Sequence, residues 1–145
     1  MKTHLNFATR DLVKSIAFYR TLLGAEPVKA FDEYALFVTD DPGLELALDK
    51  SSRAEAAGSA HFGVVVDSVA DVDAAIARLQ AAGLPIDVER GETCCYAKQT
   101  KVWAADPEGR RWEVYTVLEE SETRNAGDQT CCSGADPNAE ACCNV

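Results

Sequence analysis

The sequence predicts an α+β domain of paired βαβββ modules, in which a cupped mixed sheet encloses a shared cleft. Three observations carry that prediction. A strand–helix–three-strand pattern occurs twice within residues 1–118, both helices stop at a glycine, and the only two histidines sit in the strands that open the two halves.

The first half begins with KTHLNFA, an alternating strand pattern, and continues into a helix with Leu12, Ile16, Tyr19 and Leu23 spaced along one face. Gly24 is placed to terminate it. Strand candidates follow around residues 26–30, 34–39 and 44–48. The second half repeats the order: SAHFGVVVD as a strand, then a helix with Val69, Val72, Ile76 and Leu79 on one face. Ser68 and Asp71 form a capping-box-like start, and Gly83 ends that helix. Further strands are expected near 86–89, 101–105 and 111–117, with DPEG at 106–109 as the turn between the last two. The modules span about 1–50 and 59–118.

The chain's 145 residues suit one domain with a sizeable core, and 47% apolar with 26% charged residues is ordinary for a globular protein. A formal charge of −10 argues against nucleic-acid or anionic-membrane partners, which require a basic face. No stretch reads as a signal peptide or membrane span, so the expected location is cytoplasmic. From residue 119 the composition turns small, polar and acidic. Residues 119–145 have no periodic apolar face and are expected to form a mobile tail.

Six cysteines occur only as adjacent pairs: Cys94–Cys95, Cys131–Cys132 and Cys142–Cys143. Neighbouring Cα atoms are ~3.8 Å apart, short of the usual ~4.4–6.8 Å disulfide span, so vicinal bridges are strained and thiols are expected. A structural pair, a redox pair and a grip for a soft ligand are the three roles open to GETCCYAKQT. That stretch is expected to be a loop over residues 91–101.

His4 in HLNFA and His61 in HFGVVV fall at matching places, with side chains expected on the cleft face. Glu113 in WEVYTV lies among apolar residues, where a carboxylate needs a partner. Two histidines and a carboxylate with open positions are the set expected for non-haem Fe(II), and Zn²⁺, Mn²⁺ or Ni²⁺ suit it too. Repeat symmetry also matches Glu45 in LELAL with Glu113, which would supply a fourth ligand. His4 to Glu45 is 41 residues and His61 to Glu113 is 52, so the second module carries 11 extra, and the Cys94–Cys95 pair lies in the surplus.

Three segments carry a resemblance: HLNFATRDLVKSIAFYRTLLGAEP, the HFGVVVD strand and DPEGRRWEVY. Through them the chain resembles the vicinal oxygen chelate superfamily of glyoxalase I, bleomycin-resistance proteins and extradiol dioxygenases. TCCYAKQTKVWAADPEGRRWEVY is similar to the carbon–arsenic bond lyases and cadmium-induced proteins of that superfamily. The resemblance implies Fe(II) and O2 as cofactor and co-substrate, His4, His61 and Glu113 as metal ligands and catalytic centre, and Cys94 and Cys95 as substrate-binding thiols. It implies cleavage of the As–C bond of trivalent organoarsenicals to arsenite. Glu45 departs from the subgroup, where that position is more often uncharged.

Trivalent arsenic is soft and thiophilic, which suits two adjacent sulfurs. Lys98 and Lys101 are placed to favour the thiolates, and Cys131, Cys132, Cys142 and Cys143 to serve as accessory capture groups. A heavy-metal or arsenite-binding resistance protein and a glyoxalase-like isomerase or thiol transferase are the alternatives. Both a monomer and a homodimer are compatible with the repeat.

Overall fold

The structure is a computed structural model and describes residues 1–54 and 58–124. Its elements run β1 Thr3–Thr9, α1 Leu12–Leu23, β2 Lys29–Ala30, β3 Tyr34–Thr39, β4 Leu44–Lys50, β5 His61–Val65, α2 Val69–Ala81, β6 Ile86–Cys94, β7 Ala97–Ala105 and β8 Arg111–Glu120. The expected βαβββ order occurs twice. Each module makes its own four-stranded mixed sheet, ordered β1-β4-β3-β2 and β5-β8-β7-β6, with the first strand parallel to the last and the others antiparallel.

Local chemistry explains the helix limits. The Asp11 carboxylate accepts from the Lys14 backbone N–H at the start of α1, and Gly24 closes it in the left-handed region at φ 63°. Ser68 accepts from the Asp71 N–H at the start of α2. Arg78 of α2 donates to the carbonyls of Thr21 and Leu22, so a cation from one helix satisfies the end of the other.

The buried face of α1 is Leu12, Ser15, Phe18, Tyr19 and Leu22, rotated from the expected Leu12–Ile16–Tyr19–Leu23 stripe. The cause is Ser15, whose hydroxyl meets that of Thr9 at 2.7 Å inside the core. A polar residue that finds a partner can face inward, and hydrophobic spacing does not register it.

Both sheets turn their apolar faces to one core. Phe7 of β1 meets Phe62 of β5 at 5.1 Å between centroids, and Phe62 stacks on Trp112 of β8 at 5.0 Å. The 106–109 turn binds the modules further. Asp106 accepts from Tyr19 Oη at 2.7 Å, and Glu108 accepts from the Thr9 hydroxyl and the Arg10 backbone N–H.

Two further expectations change. The stretch 91–101 is not a loop, because β6 and β7 are nine residues each where β2 and β3 are two and six. The surplus of the second module lengthens a hairpin whose turn is only Cys95–Tyr96. Strand β8 also runs to Glu120, past the expected boundary at 118. Cys131, Cys132, Cys142 and Cys143 lie outside the described residues. Among those described, no helix is long and apolar enough to cross a membrane.

Candidate metal and thiol site

Strand alternation places the candidate ligands on the sheet faces turned away from the core. In β1, Leu5 and Phe7 pack on the core while His4 and Asn6 are exposed. In β5, Phe62 and Val64 pack inward while His61, Gly63 and Val65 are exposed.

His61 Nε2 stands 3.6 Å from Glu113 Oε1, and His4 Nδ1 stands 3.6 Å from Glu45 Oε2. Two donors ~2.1 Å from one ion stand roughly 3.0–3.4 Å apart at right-angled to tetrahedral geometry, so each pair is close to the spacing of co-ligands. Imidazole and carboxylate together suit a divalent first-row ion.

The described residues of one chain nevertheless contain no group of three or more His, Cys, Asp or Glu side chains able to hold a metal. His61 and Glu113 come together, as do His4 and Glu45, but the three expected ligands do not assemble within the chain. Two grooves, of about 290 and 550 Å³, line the helices and the 106–109 turn, and neither includes His4, His61, Glu113, Cys94 or Cys95.

The symmetry between Glu45 and Glu113 is also inexact. His4 lies directly across from Glu45, whereas His61 lies across from Arg111 and Glu113 is opposite Gly63. Glu113 therefore sits two residues further along its strand. Counted from the histidines, its counterpart in the first module is Ala47.

Glu113 is only 8% exposed and Lys101 of β7 only 3%. Lys101 Nζ donates to Glu113 Oε2 at 2.8 Å and lies over the rings of Trp103 and Tyr115 at 5.3 and 5.6 Å. Burial pulls the lysine's pKa down. The hydrogen bond and charge of Glu113, with the charges of Cys94 and Glu89, outweigh it and leave the pKa above the ordinary value. Glu89, the cross-strand neighbour of Lys101, accepts from Trp103 Nε1 and has its pKa raised, chiefly by burial. Lys98, the other candidate, is exposed.

Cys94 and Ala97 close the β6–β7 hairpin, with Cys95 at φ 54° and Tyr96 at φ 67° as the two central residues. Left-handed backbone at both positions defines a type I′ turn, normally made with Asn-Gly, and costs each side chain about 1–2 kcal/mol. Adjacent side chains in an extended strand point to opposite faces. Here the turn sets the two sulfurs 3.3 Å apart, with Cys94 buried and Cys95 exposed and no disulfide between them. Gln99 Nε2 donates to the Cys94 carbonyl at 3.2 Å, and Ser121 N–H donates to the Tyr96 carbonyl at 2.7 Å. The chain beyond β8 thus leaves beside the thiol turn.

Sequence reasoning missed Gly63 and Gln99. A glycine inside the strand HFGVV is the signal that marks a close approach. Gln99 carried no signal of its own.

Residues 3–114 match the family model of the Glyoxalase/Bleomycin resistance protein/Dioxygenase superfamily. The cadmium-induced protein CadI of Mycobacterium tuberculosis (strain ATCC 25618 / H37Rv) is 45% identical over 134 residues, covering 92% of this chain and 87% of that protein. A trivalent organoarsenical cleaving enzyme from Bacillus sp. (strain MD1) is 37% identical over 144 residues, covering 97% of this chain and 89% of that protein. The crystal structure of a glyoxalase/bleomycin resistance protein/dioxygenase from Alicyclobacillus acidocaldarius aligns with a TM-score of 0.67 at 22% identity, over 82% of this chain and 92% of that one, a likeness of fold. With a repeated βαβββ module, two matching sheets and relatives that span nearly its whole length, this chain belongs to the glyoxalase/bleomycin resistance protein/dioxygenase superfamily.

Proposed function

We propose that the chain is an Fe(II)- and O2-dependent carbon–arsenic bond lyase that releases arsenite from trivalent organoarsenicals. The observation that carries the reading is the placement of Lys101 on β7, the strand that begins at the Cys94–Ala97 turn, with its ammonium bonded to the Glu113 carboxylate. The thiol turn and the metal-type carboxylate thus belong to one sheet.

In this reading Cys94 and Cys95 exchange onto arsenic, displacing hydroxide or small-molecule thiols, and two sulfurs 3.3 Å apart are spaced to chelate one centre. The pair leaves the organic substituent of arsenic free to face the ligands. The strand bulge at Gly91, with φ 64° and a register shift between Arg90 and Glu92, is where the hairpin tip bends to bring the As–C bond to them. His61 and Glu113 would hold the metal, and His4 of a second copy would complete the set. Bound Fe(II) would supply oxygen activation, and the products are arsenite and an oxidised organic fragment.

The need for a second copy follows from the split of the donors within one chain. Val65 and Val117 are exposed large apolar residues that strand alternation puts on the same face of the second sheet as His61 and Glu113, and a second copy would cover them. The chain leaves β8 at the thiol turn, ten residues before Cys131, so Cys131–Cys132 and Cys142–Cys143 serve as tethered capture groups that raise local substrate concentration. An unchanged rate at low substrate after removal of residues 125–145 would remove that role.

One observation favours a second reading, a protein that sequesters Cd²⁺ or arsenite without turnover: the 45%-identical relative is named for cadmium induction. Aerobic assay of the Fe(II)-loaded protein with methylarsenite separates the two. Arsenite release that disappears in His61→Ala and in Cys95→Ser supports the lyase, and tight binding with no product supports sequestration.

A further inference from the structure

The least expected group on the second sheet is a buried lysine touching a candidate metal ligand. A cation beside a metal site repels the metal, so its presence calls for a role that offsets the repulsion. The geometry divides the two oxygens of Glu113. Oε2 accepts from Lys101 Nζ at 2.8 Å, while Oε1 faces His61 Nε2 at 3.6 Å and lies over Gly63, where a Cβ would stand 3.3 Å from it.

We propose that Lys101 is a positioning residue that occupies Glu113 Oε2, so that the carboxylate ligates the metal through Oε1 alone. The inference rests on the metal reading given under Proposed function and concerns the mode of ligation. A carboxylate with both oxygens available can bind one ion through two donors and use two coordination positions. With one oxygen committed to Lys101, Glu113 uses one position and leaves another for the reactants.

Lys101 is well held for the task. Trp103 and Tyr115 bracket its ammonium, and Trp103 is itself fixed by its indole N–H to Glu89 and by the Arg111 guanidinium 4.3 Å from its ring. Gly63 leaves the space beside the carboxylate open, since a Cβ there would stand 3.2 Å from Glu113 Cγ and 3.3 Å from Oε1.

The test uses full-length protein loaded with Zn²⁺ and reads the infrared difference between the asymmetric and symmetric carboxylate stretches of Glu113, isolated by subtracting a Glu113→Gln sample. Wild type is expected to show the wide splitting of one-oxygen ligation, and Lys101→Met the narrower splitting of two-oxygen ligation. Lys101→Arg, which keeps a charged donor, is expected to restore the wide splitting. A narrow splitting in wild type, or equal splittings in wild type and Lys101→Met, would overturn the proposal. The wild-type measurement decides even if Lys101→Met does not fold. If wild type binds Zn²⁺ no better than His61→Ala, it is the metal reading that has failed.

Discussion

Gly63 lies directly across the β5–β8 ladder from Glu113, and a methyl group there would stand 3.2 Å from Glu113 Cγ and 3.3 Å from Oε1. The missing side chain is the space the carboxylate fills. Gly63→Ala should displace Oε1 from His61 and weaken metal binding about 10-fold, a change typical of disturbed ligand support. Isothermal titration with Zn²⁺ or Co²⁺ checks this, and unchanged affinity would show that the cradle does not set the ligand.

The thiol turn stores strain that glycine would relieve. Tyr96 is 56% exposed at φ 67°, so Tyr96→Gly loses little packing and removes a left-handed side chain. A gain of about 0.5–1 kcal/mol is expected, seen as a melting temperature raised by a few degrees. A lower melting temperature would mean that the side chain contributes something exposure does not reveal.

A site completed by a second copy permits complementation. His4→Ala and Glu113→Ala should each be inactive alone. Random reassortment of a mixture should restore activity at about a quarter of the sites, because half of the dimers are mixed and each mixed dimer has one intact set. Absence of recovery after reassortment would place all ligands within one chain.

Tyr19 links the modules and gives the fold an alkaline limit. Burial, then the charge and hydrogen bond of Asp106, push its phenol well above the ordinary range. The folded state therefore keeps the proton that the unfolded state releases near pH 10. The contribution is complete below that pH and is lost as pH rises above it, at up to about 1.4 kcal/mol per pH unit. Denaturant unfolding of Tyr19→Phe should be less stable than wild type at pH 8 but flatter with pH between 9 and 11.

Much of the fold was legible because its signals are local. Ser68 with Asp71, Gly24, the strand 34–39 and the DPEG turn each specify their geometry through neighbours in sequence. The pairing of His61 with Glu113 was legible because a histidine and a glutamate in apolar strands require partners. The outer part of the β6–β7 hairpin, residues 91–101, reads as a loop because Gly91 interrupts alternation and Cys95–Tyr96 is not a recognised turn dipeptide. The two-residue offset between Glu45 and Glu113 was hidden because strand register is set by pairing across the sheet, which similar motifs such as LELAL and WEVYT do not reveal. The separation of His4 from His61 and Glu113 depends on how the modules pack through their shared core, and no single-strand pattern encodes it.

The measurement closest to the central claim is an oxygen pulse. Fe(II)-loaded protein is mixed with methylarsenite without oxygen, and arsenite is followed as oxygen is admitted. Binding dependent on Cys94 and Cys95, no arsenite in the anaerobic phase, and a burst approaching one arsenite per metal site on addition of oxygen are expected. Arsenite formed without oxygen or iron, or an undiminished burst from the Cys95→Ser variant, would contradict that claim.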